Sequence, residues 1–76
     1  MNKFEKTIKQ ITQLLDNHEI TYEVLGDKTT FAIATNCTIH TNHCTIEVFK
    51  NKIKENEKQV EDVYEAVESV LEVEQP

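Results

Sequence analysis

The chain has 76 residues, 38% of them hydrophobic and 29% charged, with a formal net charge of −6. That supports one small folded domain rather than a disordered segment. A core of this size rarely leaves more than about 3–5 kcal/mol of net stability, so a partner, a dimer or a metal has room to contribute. No apolar run approaches the roughly 18 residues of a membrane span, and Met1-Asn2-Lys3-Phe4 does not lead into a signal-peptide core, so a cytoplasmic protein is expected.

The charge is unevenly placed. Residues 1–54 carry a balance of +1 and residues 55–76 a balance of −7. Phosphate contacts need a basic surface, so direct binding to nucleic acid or to an anionic membrane is disfavoured. A basic protein partner is favoured electrostatically. There is no arginine, so the bidentate forks that hold carboxylate and phosphate are missing. A single glycine cannot build a P-loop or a dinucleotide fingerprint, and no cofactor is expected.

In chain order, Lys3 to His18 reads as a helix whose buried stripe is Phe4, Ile8, Ile11, Leu14 and Leu15, with His18 half-buried on the same face. Lys3, Lys6 and Lys9 lie off that stripe. Ile20 to Leu25 alternates as a strand, with Ile20, Tyr22 and Val24 inward, and Gly26-Asp27-Lys28 reads as a turn. Phe31 to Ile39 is a second strand with Phe31, Ile33, Cys37 and Ile39 inward. Cys44 to Phe49 is a third, with Cys44, Ile46 and Val48 inward. Asn56 is placed as the cap of a final helix running to Val73, with Gln59 in the capping-box position. The expected buried stripe of that helix is Val60, Val63, Tyr64, Val67, Val70 and Leu71.

Short connections imply an antiparallel meander, and both amphipathic helices must bury their stripes against its apolar face. The expected fold is therefore α+β: helix, three-stranded antiparallel sheet, helix (αβββα), with both helices on one face. The other face would carry Ala32, Ala34 and Phe49 as a modest apolar patch.

Two groups of residues carry possible chemistry. Cys37, His40, His43 and Cys44 fall within eight residues and invite a zinc or copper reading. A two-residue turn at Thr41-Asn42 would set Cys37 opposite Ile46, Ile39 opposite Cys44 and His40 opposite His43, with thiols and imidazoles on opposite faces. A longer loop over residues 38–43 would bring the cysteines opposite each other and reopen a metal site or a disulfide. Buried free thiols are the expectation that cysteine's preference for cores supports.

The second group is Glu57, Glu61, Glu65, Glu68 and Glu72, which form a carboxylate stripe about 22 Å long if the final helix starts at Asn56. Like charges at i, i+4 cost a few tenths of a kcal/mol per pair, and Lys58 is the one base nearby. An ordinary solvated face would also look like this. The functional alternative is a surface aimed at a basic groove. No nucleophile with a base, and no carboxylate pair flanking a pocket, is legible, so a non-enzymatic protein is expected.

Small size, the αβββα order, the acidic balance and the Lys/Asn/Ile/Glu-rich composition resemble small phage-encoded inhibitors, in particular compact anti-CRISPR proteins. The resemblance covers the whole chain as topology and charge and includes no sequence motif. It implies a phage or mobile-element inhibitor in a bacterial cell that blocks a nucleic-acid-handling protein, a nuclease or regulator, by mimicking nucleic acid. A small metal-binding domain at the hairpin tip and a homodimer joined through strand edges or the Ala32, Ala34, Phe49 face are the alternatives.

Overall fold

The computed structural model describes residues 3–25 and 36–75. Its elements are α1 (Lys3–Asn17), β1 (Glu23–Leu25), β2 (Asn36–His40), β3 (Thr45–Phe49), β4 (Ile53–Glu55), β5 (Lys58–Val60) and α2 (Val63–Glu74). The architecture is α+β, and the strands lie in the sheet in chain order, each antiparallel to the next. The described residues form five strands where three were expected. Phe31, Ala32, Ile33 and Ala34 fall outside the described residues. No described helix is long and apolar enough to cross a membrane.

The core joins one face of each helix to one face of the sheet. Phe4, Ile8, Ile11 and Leu15 from α1 and Val63, Val67 and Val70 from α2 pack with Cys37, Ile39, Ile46 and Val48. The period-two alternation in β2 and β3 places these strand residues inward as expected, and Cys44 is buried at the end of the connecting loop. His18 departs from its expected half-burial. It follows the last turn of α1 and is exposed. There the N–H of Ile20 donates to the Leu15 carbonyl at 2.9 Å and that of Glu19 to Asp16 at 3.0 Å. This Schellman pair turns the chain away through a left-handed Glu19 (φ 58°), which buries Ile20 instead.

The main correction lies at residues 53–62. The expected helix from Asn56 is a β-hairpin, with Ile53 paired to Val60, Lys54 to Gln59 and Glu55 to Lys58. Asn56 (φ 50°) and Glu57 (φ 69°) are both left-handed, which is the conformation of a two-residue hairpin turn whose twist matches the strands. Asn56 is thus a turn residue. Its Oδ1 accepts from the Thr45 N–H at 2.9 Å, and its own N–H donates to the Thr45 carbonyl at 2.8 Å, extending the β3–β4 ladder. The helical preference of Glu, Lys and Gln is worth only a few tenths of a kcal/mol per residue. Hairpin pairing and burial of Val60 outweigh it.

The final helix therefore starts six residues late, its cap moving from Asn56 to Asp62. Asp62 caps it, accepting the Glu65 N–H at 2.9 Å, and Glu65 Oε2 accepts the Glu61 N–H at 2.7 Å, a variant of the reciprocal capping box. Its buried face is Val63, Ala66, Val67 and Val70. Tyr64, expected in the stripe, is 66% exposed.

The helices run in the same direction. Lys3 and Thr7 of α1 line one groove with Asp62, Val63 and Tyr64 at the start of α2. At the other end, Gln75 Nε2 donates to the His18 carbonyl at 2.7 Å.

Candidate functional site

The expected acidic stripe survives in part. Glu65, Glu68 and Glu72 are exposed on α2. At 100° per residue they lie within about 60° of one another. Their backbone span is about 10 Å at 1.5 Å per residue. Glu57 has left this surface for the β4–β5 turn, where it borders a shallow depression with Thr45, Glu47 and Asn56. Glu61 is exposed in the link before α2, joined to the helix through its N–H and the Glu65 carboxylate. The single rod of five carboxylates is thus corrected to a three-residue face with Glu61 beside its start. Among the described residues no lysine forms an ion pair with Glu65, Glu68 or Glu72. Tyr64, 66% exposed, and Val73, 48% exposed, belong to the same helix. They flank the three carboxylates on its outer surface.

The hairpin-tip ligands do not converge. The register pairs Cys37 with Val48, Ile39 with Ile46 and His40 with Thr45, two residues away from the expected pairing. A shift of two preserves which face each side chain occupies. The turn is therefore not Thr41-Asn42. Four residues, 41–44, make the connection, because β-branched Thr41 is a poor left-handed residue and needs no such conformation here. Cys37 and Cys44 are free thiols on the buried face. His40 is half-buried and its Nδ1 lies 3.2 Å from Thr45 Oγ1, while His43 is exposed. Among the described residues no group of three His, Cys, Asp or Glu side chains could hold a metal ion. Burial pushes both thiols above their ordinary pKa, away from the thiolate that a nucleophile or a ligand requires.

A junction the sequence reading missed lies at the same tip. Glu74, in the last turn of α2, has a side chain only 6% exposed. Its Oε1 accepts from the His43 N–H at 2.7 Å and from Thr41 Oγ1 at 3.2 Å, with His43 Nδ1 at 3.1 Å. Thr41 closes its own loop as well, accepting the Cys44 N–H on Oγ1 at 3.0 Å and donating its N–H to the Cys44 carbonyl at 2.9 Å. A carboxylate in a helix's last turn opposes the helix dipole. The loop donors Thr41 and His43 offset that cost, and they are brought to Glu74 by the fold rather than by nearness in the chain.

At the other end of the helices, a groove of about 490 Å³ is bordered by Lys3, Lys50, Lys52, Phe49 and Tyr64. Glu61 and Asp62 share its wall, so its charges largely offset. Lys52 Nζ and Lys54 Nζ lie 5.1 and 5.9 Å from the centre of the Phe49 ring. Phe49, expected to contribute to an apolar dimer patch, is thus capped by two ammonium groups.

No comparison identifies a relative. No family model, curated protein or solved structure matches the chain. The geometry of the chain's own residues therefore carries the functional reading.

Proposed function

We propose that this chain is a small, non-enzymatic interaction protein that binds a basic, nucleic-acid-handling partner through the outer face of α2, in the manner of a phage-encoded inhibitor. The observation that carries the reading is the row Glu65, Glu68 and Glu72, exposed and unpaired by any described lysine, between Tyr64 and Val73. Carboxylates left without internal counter-ions keep their field available to a partner. An exposed tyrosine supplies the kind of aromatic anchor that interface centres favour. Glu61 extends this face at its N-terminal end, and Glu57 contributes only to the overall negative field. The resemblance to anti-CRISPR proteins now rests on size and charge, because the described residues place five strands, not three, between the helices.

Capture of a partner from a bacterial lysate by the wild-type chain and by the triple variant Glu65→Gln, Glu68→Gln, Glu72→Gln tests the proposal. Capture is expected to be lost in the variant and to weaken as salt rises from about 0.05 to about 0.5 M, since screening acts on exposed charges. Capture that ignores both changes refutes the electrostatic mechanism.

A further inference from the structure

Cys37 and Cys44 are equally hidden, each 3% exposed, but they are held in place by different things. Cys37 lies within β2, paired to Val48 in the sheet, with its thiol 3.8 Å from the Leu25 carbonyl. Reaching it requires opening the sheet. Cys44 is the last residue of the loop, with Thr41 and Asn56 beside its thiol and the Glu55 and Glu74 carboxylates nearby. One side of that enclosure is the loop itself, and three of the loop's polar groups, the His43 N–H, His43 Nδ1 and Thr41 Oγ1, converge on one oxygen of α2, Glu74 Oε1.

We infer that Glu74 and the Thr41–Cys44 loop form a latch, whose release opens this end of the domain as a local unit and uncovers the Cys44 thiol while the rest of the fold stays closed. Three features support it. The helix dipole works against a carboxylate at this end of α2, so Glu74 stays by virtue of its loop partners. Glu74 and Gln75 are adjacent, and Gln75 ties the same end to α1 through the His18 carbonyl, so the end of α2 and the loop are mechanically joined. Finally, the last turn of α2 buries little. Leu71 is half-buried against the core and Val73 is exposed, so a single apolar side chain of this turn helps to hold it shut. The inference concerns the motion of the fold and is independent of what binds the outer face of α2.

Alkylation by iodoacetamide, a small neutral probe, followed by peptide mass mapping reads the two thiols separately in one native chain. Glu74→Gln keeps the shape and removes the charge that the loop donors meet. Charge-assisted bonds of this kind are worth enough that Cys44 alkylation is expected to accelerate at least about tenfold, with Cys37 unchanged. Equal acceleration of both thiols, or none at Cys44, overturns the latch. If the variant fails to fold, hydrogen exchange of the wild-type chain decides. The amides of His43, Cys44 and Gln75 are expected to exchange through one common opening, faster than the amide of Ile11 inside α1. Protection of His43 and Cys44 equal to that of Ile11 overturns it.

Discussion

Glu19 and Glu57 stand at left-handed backbone positions, with φ of 58° and 69°. A β-carbon there costs about 1–2 kcal/mol, part of which glycine's greater unfolded-state freedom takes back. Glu19→Gly and Glu57→Gly are therefore each expected to stabilise the fold by about 0.5–1 kcal/mol. Thermal unfolding should show a midpoint several degrees higher for each. The second change turns Asn56-Glu57 into the Asn-Gly pair that this turn favours most. The buried thiols give a pH dependence whose sign is fixed. Burial raises the pKa of Cys37 and Cys44 in the folded state, so their contribution is fully present below the unfolded thiol value. It is lost as pH rises beyond about 8.5, where the unfolded chain ionises first. Urea midpoints are expected to fall between about pH 8 and 10, and less so in a Cys37→Ala, Cys44→Ala chain.

Elements differ in how openly they show themselves in the chain. α1 was legible because Phe4, Ile8, Ile11 and Leu15 keep the helical period and all four are buried. The β2 and β3 faces were legible because two-residue alternation survives a register shift of two. The β4–β5 hairpin was hidden: Val60 lies at a spacing from Val63 and Val67 that also suits a helix, and Glu, Lys and Gln are good helix formers. The usable signal was the symmetry of Ile53 and Val60 about Asn56-Glu57. Of the candidate site, Glu65, Glu68 and Glu72 could be read from the sequence because they lie within α2. Glu74 could not, because its partners Thr41 and His43 are distant in the chain and only tertiary packing brings them together. Asp62 marks the true helix start, and Asp62→Ala is expected to cost about 1 kcal/mol, measured by denaturant unfolding, because the Glu65 N–H loses its acceptor. Ala66, fully buried in α2, admits no larger residue without a shift of the helix, so Ala66→Leu is expected to destabilise by about 1–3 kcal/mol in the same assay.

Across the whole molecule the charge is segregated, and stability and binding respond to it in opposite ways. Glu68 lies one turn from both Glu65 and Glu72, so Glu68→Lys replaces two repulsions with two attractions. It is expected to stabilise the helix by a few tenths of a kcal/mol or more in thermal unfolding. The same substitution is expected to weaken partner capture by reversing the charge at the centre of the row. A surface that served only to keep the chain solvated would show the first effect without the second.

The shared direction of α1 and α2 has its own consequence. The amide-rich starts of both helices gather beside Lys3, Lys50 and Lys52, and their carbonyl-rich ends gather near Glu74. The dipoles of the two helices thus add along one direction, on top of the net negative charge. A charged surface approaching it exerts a torque before any atoms touch, so the chain arrives already turned.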